Sequence, residues 1–161
     1  MSEISTPTDW PSDPASVLLQ RAPAMAEGLP VNPALAVELA WCLRERGDWL
    51  AAVISPGFIR VFLLPGGGEL WGHIPLGQRR YLALGDVDWR FSAAHDAVLG
   101  DCQYVDLVDA VATVSGMVEA RHLANDARRA LGLVGPAGPS PEEAAPPVSR
   151  RGFLRALTGR R

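Results

Sequence analysis

The side chains best suited to chemistry are two cysteines, three histidines, a run of three glycines and a cluster of terminal arginines. Cys42 and Cys102 stand 60 positions apart, and neither has a Cys or His neighbour at ligand spacing. Zinc and iron sites need closely spaced ligand pairs that a short loop can fold around the ion, so both thiols are expected to be buried and structural. His73, His95 and His122 are scattered along the chain. His95-Asp96 is the one pair in which a carboxylate could orient an imidazole. Neighbours on a strand point to opposite sides, however, and no Ser or Cys motif supplies a nucleophile. Gly66-Gly67-Gly68 lacks the Lys-Ser/Thr of a Walker loop and the glycine spacing that opens a dinucleotide-binding helix, so it reads as a flexible hairpin tip. No catalytic residue, metal ligand or cofactor is assigned.

The arginines form a motif of their own. Ser149-Arg150-Arg151-Gly152-Phe153-Leu154-Arg155 has the form of a twin-arginine export signal. Such a signal stands near an N-terminus, ahead of an apolar stretch and a cleavage site. With only Leu157 to Arg161 beyond it, the motif is not expected to export this chain. The plainer reading is a short basic amphipathic helix with Phe153, Leu154 and Leu157 on one side.

These groups sit in 161 residues, the size of one domain with a tail. A hydrophobic fraction of 48% is enough for a core. The charge is uneven. Residues 1–148 hold 18 acids and 10 Arg, a net −8, whereas residues 149–161 hold five Arg and no acid, a net +5. An acidic body repels nucleic-acid phosphates and attracts basic partners, so nucleic acid is not an expected ligand. The longest apolar run, from Trp49 to Leu64, is broken by Ser55, Pro56 and Arg60, and no membrane insertion is expected. The N-terminus carries no basic residue and no apolar core, so a cytoplasmic location is expected.

Residues 1–12 read as disordered. Asp13-Pro14 then opens a helix that buries Val17, Leu18, Ala22 and Met25, is kinked at Pro23 and stops at Gly28. Leu35, Val37, Leu39, Trp41 and Leu43 alternate as one face of a strand. Arg46-Gly47-Asp48 turns the chain, and Trp49 to Ile54 returns as a hairpin. Strands are also expected at Ile59–Leu64, Arg79–Leu84, Val87–Ala93 and Cys102–Val108. A C-terminal helix spans Gly116 to Leu131, with Ala120, Leu123, Ala124, Ala127, Ala130 and Leu131 on one side. Trp41, Trp49 and Trp71 are expected in the core or on its rim, the alternative being a patch that grips a peptide. The pattern predicts an α+β fold: an antiparallel sheet of about five strands packed with an N-terminal and a C-terminal helix, plus a flexible tail. The domain spans residues 13–134. A Pro-rich linker at 135–148 follows, reaching roughly 43 Å at about 3.1 Å per residue, and then the basic tail at 149–161.

With these residues in view, the chain resembles the HybE/HupJ family of [NiFe]-hydrogenase assembly chaperones. The resemblance runs from about Pro30 to Leu131, plus the tail. It is carried by Asn32-Pro33-Ala34-Leu35, by Trp49 leading into Val53-Ile54-Ser55-Pro56, and by Leu63-Leu64-Pro65-Gly66 with Leu70-Trp71. Phe91, Gly100, Gln103, the Ala-rich helix and the Arg-Arg-x-Phe-Leu-Arg tail complete it. Two departures stand out. The family pattern has Thr-Pro-Trp where this chain has Ser55-Pro56-Gly57, and Cys-Ser-Leu-x-Ser-Pro where it has Val105 to Ala110.

The resemblance implies a cytoplasmic, non-enzymatic chaperone of the hydrogenase small-subunit precursor. That precursor carries iron–sulfur clusters and a twin-arginine signal, and the chaperone holds it until the clusters and the large subunit are in place. A binder for such a signal needs acidic surface beside an apolar groove. The expected partner-binding residues are Trp49, Ile54, Pro56, Phe58, Pro65 and Trp71. Arg150, Arg151, Phe153, Leu154 and Arg155 are expected to form a self-interaction tail that occupies the same groove. Two other readings stay open. One is an adaptor that docks to the large subunit or to other maturation proteins without reading the signal. The other is a small metal- or redox-handling protein acting through Cys42 or Cys102.

Overall fold

A computed structural model of the chain describes residues 9–132. Its elements run α1 (Ala15–Met25), β1 (Glu38–Glu45), β2 (Asp48–Ile54), β3 (Ile59–Leu64), β4 (Arg79–Leu84), β5 (Val87–Asp96), β6 (Gly100–Asp106), a 3-10 turn (Val111–Thr113) and α2 (Met117–Ala130). The strands form one sheet in the order β1-β2-β3-β6-β5-β4, antiparallel throughout. The fold is therefore α+β with six strands rather than five. It consists of two three-stranded meanders, β1-β2-β3 and β4-β5-β6, joined along a β3–β6 seam.

The two helices pack on opposite faces. Ala120, Leu123, Ala124 and Ala127 of α2 share a core with Leu50, Ala52 and Ile54 of β2, Ile59, Val61 and Leu63 of β3, and Trp89 and Phe91 of β5. Leu18 and Ala22 of α1 share a second core with Trp49, Ala51, Val53, Phe62 and Leu64. β2 is buried along its whole length, because it is central and covered on both sides. Strands in that position read as continuous apolar runs instead of alternating ones.

β1 departs from strict alternation. Its register slips between Leu39 and Trp41, so Leu39 packs with Cys42 in the α1 core while Ala40, Trp41 and Leu43 serve the α2 core. A bulge adds one residue to a strand and re-aims the side chains beyond it, which a period of two does not anticipate. Trp41 then donates its indole N–H to the Ala124 carbonyl at 2.7 Å and fixes α2 to the sheet edge.

Two loops differ from the sequence expectation. The Pro65-to-Gly68 segment is not a flexible tip. Asp48, at the start of β2, is fully buried and binds four backbone N–H groups of residues 66–71. Residues 9–12 are also ordered into the body: the Trp10 N–H donates to Pro65 at 2.8 Å, and the Trp10 carbonyl accepts the Trp49 indole N–H at 2.8 Å. The rest of the expected disordered N-terminus, the linker and the tail lie outside the described residues.

Candidate functional site

α1 runs through Pro23 to Met25, and Gly28, at φ +85°, turns the chain away just beyond its end. The helix packs over β1 and β2. On that face α1 also reaches Leu99, Cys102 and Asp96 at one end of β5 and β6, and among the described residues no helix covers the remainder, where Tyr81 is exposed. At the boundary lies a groove of about 350 Å³. Met25, Glu27 and Leu29 form one wall, and Phe62, Ala94, Cys102 and Tyr104 from β3, β5 and β6 form the floor and far side.

Arg60 crosses the floor in a fixed position. Its guanidinium lies 4.0 Å from the Tyr104 ring centre and 4.4 Å from that of Phe58, and its Nε donates to Asp106 at 2.7 Å. Stacking and pairing thus tie this cation to the sheet. At the opposite end, the Arg21 guanidinium donates to both oxygens of Asp96 at 3.0–3.3 Å. The same carboxylate accepts the N–H groups of Val98 and Leu99, each at 2.9 Å, closing the β5–β6 turn. Glu27 makes no ion pair among the described residues, which leaves its carboxylate available at the rim.

Burial alone would push the Asp96 carboxyl up, but Arg21 and the two N–H groups outweigh it and hold it below the usual carboxylate range. A group with a depressed folded pKa contributes stability that is present above its unfolded pKa and lost as pH falls through the folded one. Asp96→Asn is therefore expected to lower the urea midpoint at pH 7. Its stability should also fall less steeply than the parent's below about pH 4, the ordinary aspartate range. Urea titrations at several pH values measure both.

Neither thiol is set up as a nucleophile. Burial, then Asp96 and Asp101, push Cys102 up to about 12 against the opposing charge of Arg60. Burial and the carboxylate of Asp13 push Cys42 up to about 12. Reactive cysteines have the reverse surroundings, with a nearby cation and access to solvent. His95 and Asp96 do not act together: His95 bonds Asp101 at 2.9 Å, with His73 on the other carboxylate oxygen at 3.9 Å. Among the described residues no group of three or more His, Cys, Asp or Glu is placed to hold a metal ion.

The six expected partner-binding residues lie elsewhere. Trp49, Ile54, Phe58 and Pro65 are buried, and Pro56 and Trp71 are half-buried. Four of the six are thus core rather than surface, because β2 and β3 are the strands sandwiched by both helices. Phe58 still bears on the groove as the ring beneath Arg60. Pro56 and Gly57 abut the end of α1, and a Cβ at Gly57 would stand 2.8 Å from that of Ala26. The absence of a side chain at 57 therefore lets the chain after α1 sit close to the sheet. Arg150, Arg151, Phe153, Leu154 and Arg155 lie outside the described residues. Met25, Glu27, Arg60, Asp96 and Tyr104 were not expected. Tyr104 does alternate with buried Gln103 and Val105, but nothing in that alternation tells which half of the sheet a helix leaves open.

The family model for the [NiFe]-hydrogenase assembly chaperone HybE matches residues 20–156. This chain belongs to the HybE family. The solution structure of HybE from Escherichia coli is similar in fold, with a TM-score of 0.61 at 16% identity, covering 89% of this chain and 96% of that one. A comparison with curated proteins finds no match. The HybE family is one of chaperones for hydrogenase assembly, and its members' task is to bind hydrogenase polypeptides. No helix among the described residues is long and apolar enough to cross a membrane.

Proposed function

We propose that this HybE-family chain acts in the cytoplasm and binds the [NiFe]-hydrogenase small-subunit precursor through its twin-arginine signal. The signal lies in the groove beside α1, and the chain retains the precursor until iron–sulfur clusters and the large subunit are in place. The observation that carries this reading is the groove itself. It is a trough of mixed character on an acid-rich body: Met25, Leu29 and Tyr104 give it apolar and aromatic contacts, the Glu27 carboxylate stands at its rim, and Arg60 and Asp96 are already paired within the fold. A segment that is basic at one end and apolar along its length finds both of its needs there. The task needs no cofactor and no catalytic group.

Fluorescence anisotropy with a small-subunit signal peptide tests the reading. Saturable binding is expected, weakened about tenfold or more when the peptide's two arginines become glutamines. Glu27→Arg in the chaperone, an exposed change, is expected to weaken it comparably, since reversing a rim charge turns attraction into repulsion. No binding by the parent chain or by a form truncated after Val148 overturns the reading.

One observation favours the adaptor reading as a second. The uncovered sheet face carries Tyr81, which is 63% exposed and pairs across strands with Arg90, and Arg79 opposite Ser92. This aromatic surface, with two arginines set against one acid at Asp88, suits a protein partner that presents an acidic patch, such as a large subunit or another maturation protein. Copurification with Arg79→Glu and Arg90→Glu variants separates the two surfaces: loss of the large subunit alone assigns it to this face.

A further inference from the structure

We infer that residues 149–161 of this chain dock in the groove between α1 and the β3–β6 seam, where they compete with whatever the groove binds. The docking rests on the groove and the tail alone; its meaning as a brake on client binding rests on the signal-reading function above.

Three observations meet here. The first is chemical. Ser149 to Arg161 contains five Arg, no acid, and apolar residues at Phe153, Leu154 and Leu157. The groove offers the half-buried Met25, Leu29 and Tyr104 for the apolar side chains, and Glu27 at the rim for the arginines. The second is the field of the body. Residues 9–132 hold 15 acids and 10 Arg, a net −5, so a +5 segment is attracted before it makes any contact.

The third is reach. The last described residue, Gly132, packs against Gly85 at the β4–β5 turn, 3.4 Å from its Cα for a Cβ placed on Gly132. From there the route to the groove runs along β5 from Val87 to Ala94, about 23 Å at roughly 3.3 Å per residue. It also crosses two strands, about 10 Å at roughly 4.8 Å each, and rounds the β4–β5 turn from the α2 face to the α1 face, about 10 Å more at the spacing of packed layers. Residues 133–148 span up to about 50 Å at roughly 3.1 Å per residue. The tail therefore reaches the groove, at an effective concentration on the order of 1 mM. At that concentration even a tail of about 0.1 mM intrinsic affinity fills the groove roughly nine-tenths of the time and weakens a competitor about tenfold.

The motif gives the competition its specificity. A groove that accepts Ser-Arg-Arg-x-Phe-Leu from a client accepts the same series from its own chain. A bare signal then binds weakly, and a precursor that makes further contacts displaces the tail.

Two titrations test this on the full-length chain. One uses a tail-disabled variant carrying Arg150→Glu, Arg151→Glu and Phe153→Ala, and the other the same variant with Glu27→Arg added. A labelled peptide of residues 149–161 is expected to saturate the first and to bind the second at least fivefold more weakly. A signal peptide is expected to bind the tail-disabled chain about five- to tenfold more tightly than the parent, with the difference shrinking in high salt. If the tail peptide binds but no form binds the signal peptide, docking stands and the signal-reading function fails. If the signal peptide binds, the tail peptide does not, and disabling the tail leaves signal affinity unchanged or weaker, the inference is overturned and the function stands.

Discussion

Asp48→Ala is expected to destabilise the chain by about 3–5 kcal/mol, the range for an uncompensated buried charge partner and stranded donors. Its carboxylate is fully buried. Oδ1 accepts the N–H groups of Gly66 at 2.7 Å and Gly68 at 3.0 Å, and Oδ2 those of Leu70 at 2.7 Å and Trp71 at 2.8 Å. Arg80 braces the same loop by donating to the Leu70 and Gly72 carbonyls. Burial pulls the Arg80 guanidinium below its ordinary range, and the negative charge of Asp48 opposes that shift. Removing the carboxylate strands four donors and takes away this electrostatic support. Thermal unfolding should show a drop of more than about 10 °C, given roughly 3–5 °C per kcal/mol for a domain of this size. Asp48→Asn keeps the shape but turns an NH2 group toward N–H donors, so it should fall most of the way to alanine. A melting temperature within a degree or two of the parent for both variants would show that the loop is held by other means.

Trp89→Ala is expected to cost about 3–5 kcal/mol, the range for truncating a buried aromatic residue. Trp89 is wholly buried in the same core as Leu84 and Leu131, and its indole N–H donates to the Leu84 carbonyl at 3.1 Å. The ring thus closes its own hairpin and meets the end of α2. Gly85, at φ +63°, is part of that junction: a Cβ there would run into the Ala130 carbonyl, so only glycine lets the turn approach the helix. Urea unfolding should show a lower midpoint with an unchanged slope, the mark of lost stability without a change in how much surface unfolding exposes. Trp89→Phe, which retains most of the apolar area, should lose about 1 kcal/mol through the missing hydrogen bond.

Elements built from local pattern were legible in the sequence, and contacts made by topology were not. The apolar runs of β2 and β3, the 79–84 strand and the face of α2 follow from periodicity, and the structure places them within a residue or two of expectation. The bulge in β1 broke the period of two. Asp48 looked like an ordinary turn residue, because nothing local tells that its carboxylate serves a loop some 20 positions on. The burial of most of the expected partner-binding residues was hidden for a related reason. A Trp- and Pro-rich stretch can mark a binding surface or a strand buried on both faces, and the choice depends on where two distant helices land. Glu27 and Tyr104 meet across a groove that no short window of sequence contains.

The β3–β6 seam has a kinetic consequence. Each meander can form from neighbouring strands, but the seam joins residues as far apart as Arg60 and Asp106, 46 positions in sequence. Pairings of that separation require a large loop to close first, so joining the halves is expected to be the slow step of folding. The groove floor comes from both sides of the seam, Phe62 from one meander and Tyr104 from the other. The groove therefore exists only in chains whose seam has closed, and a chain halted before that step has two meanders but no trough between them.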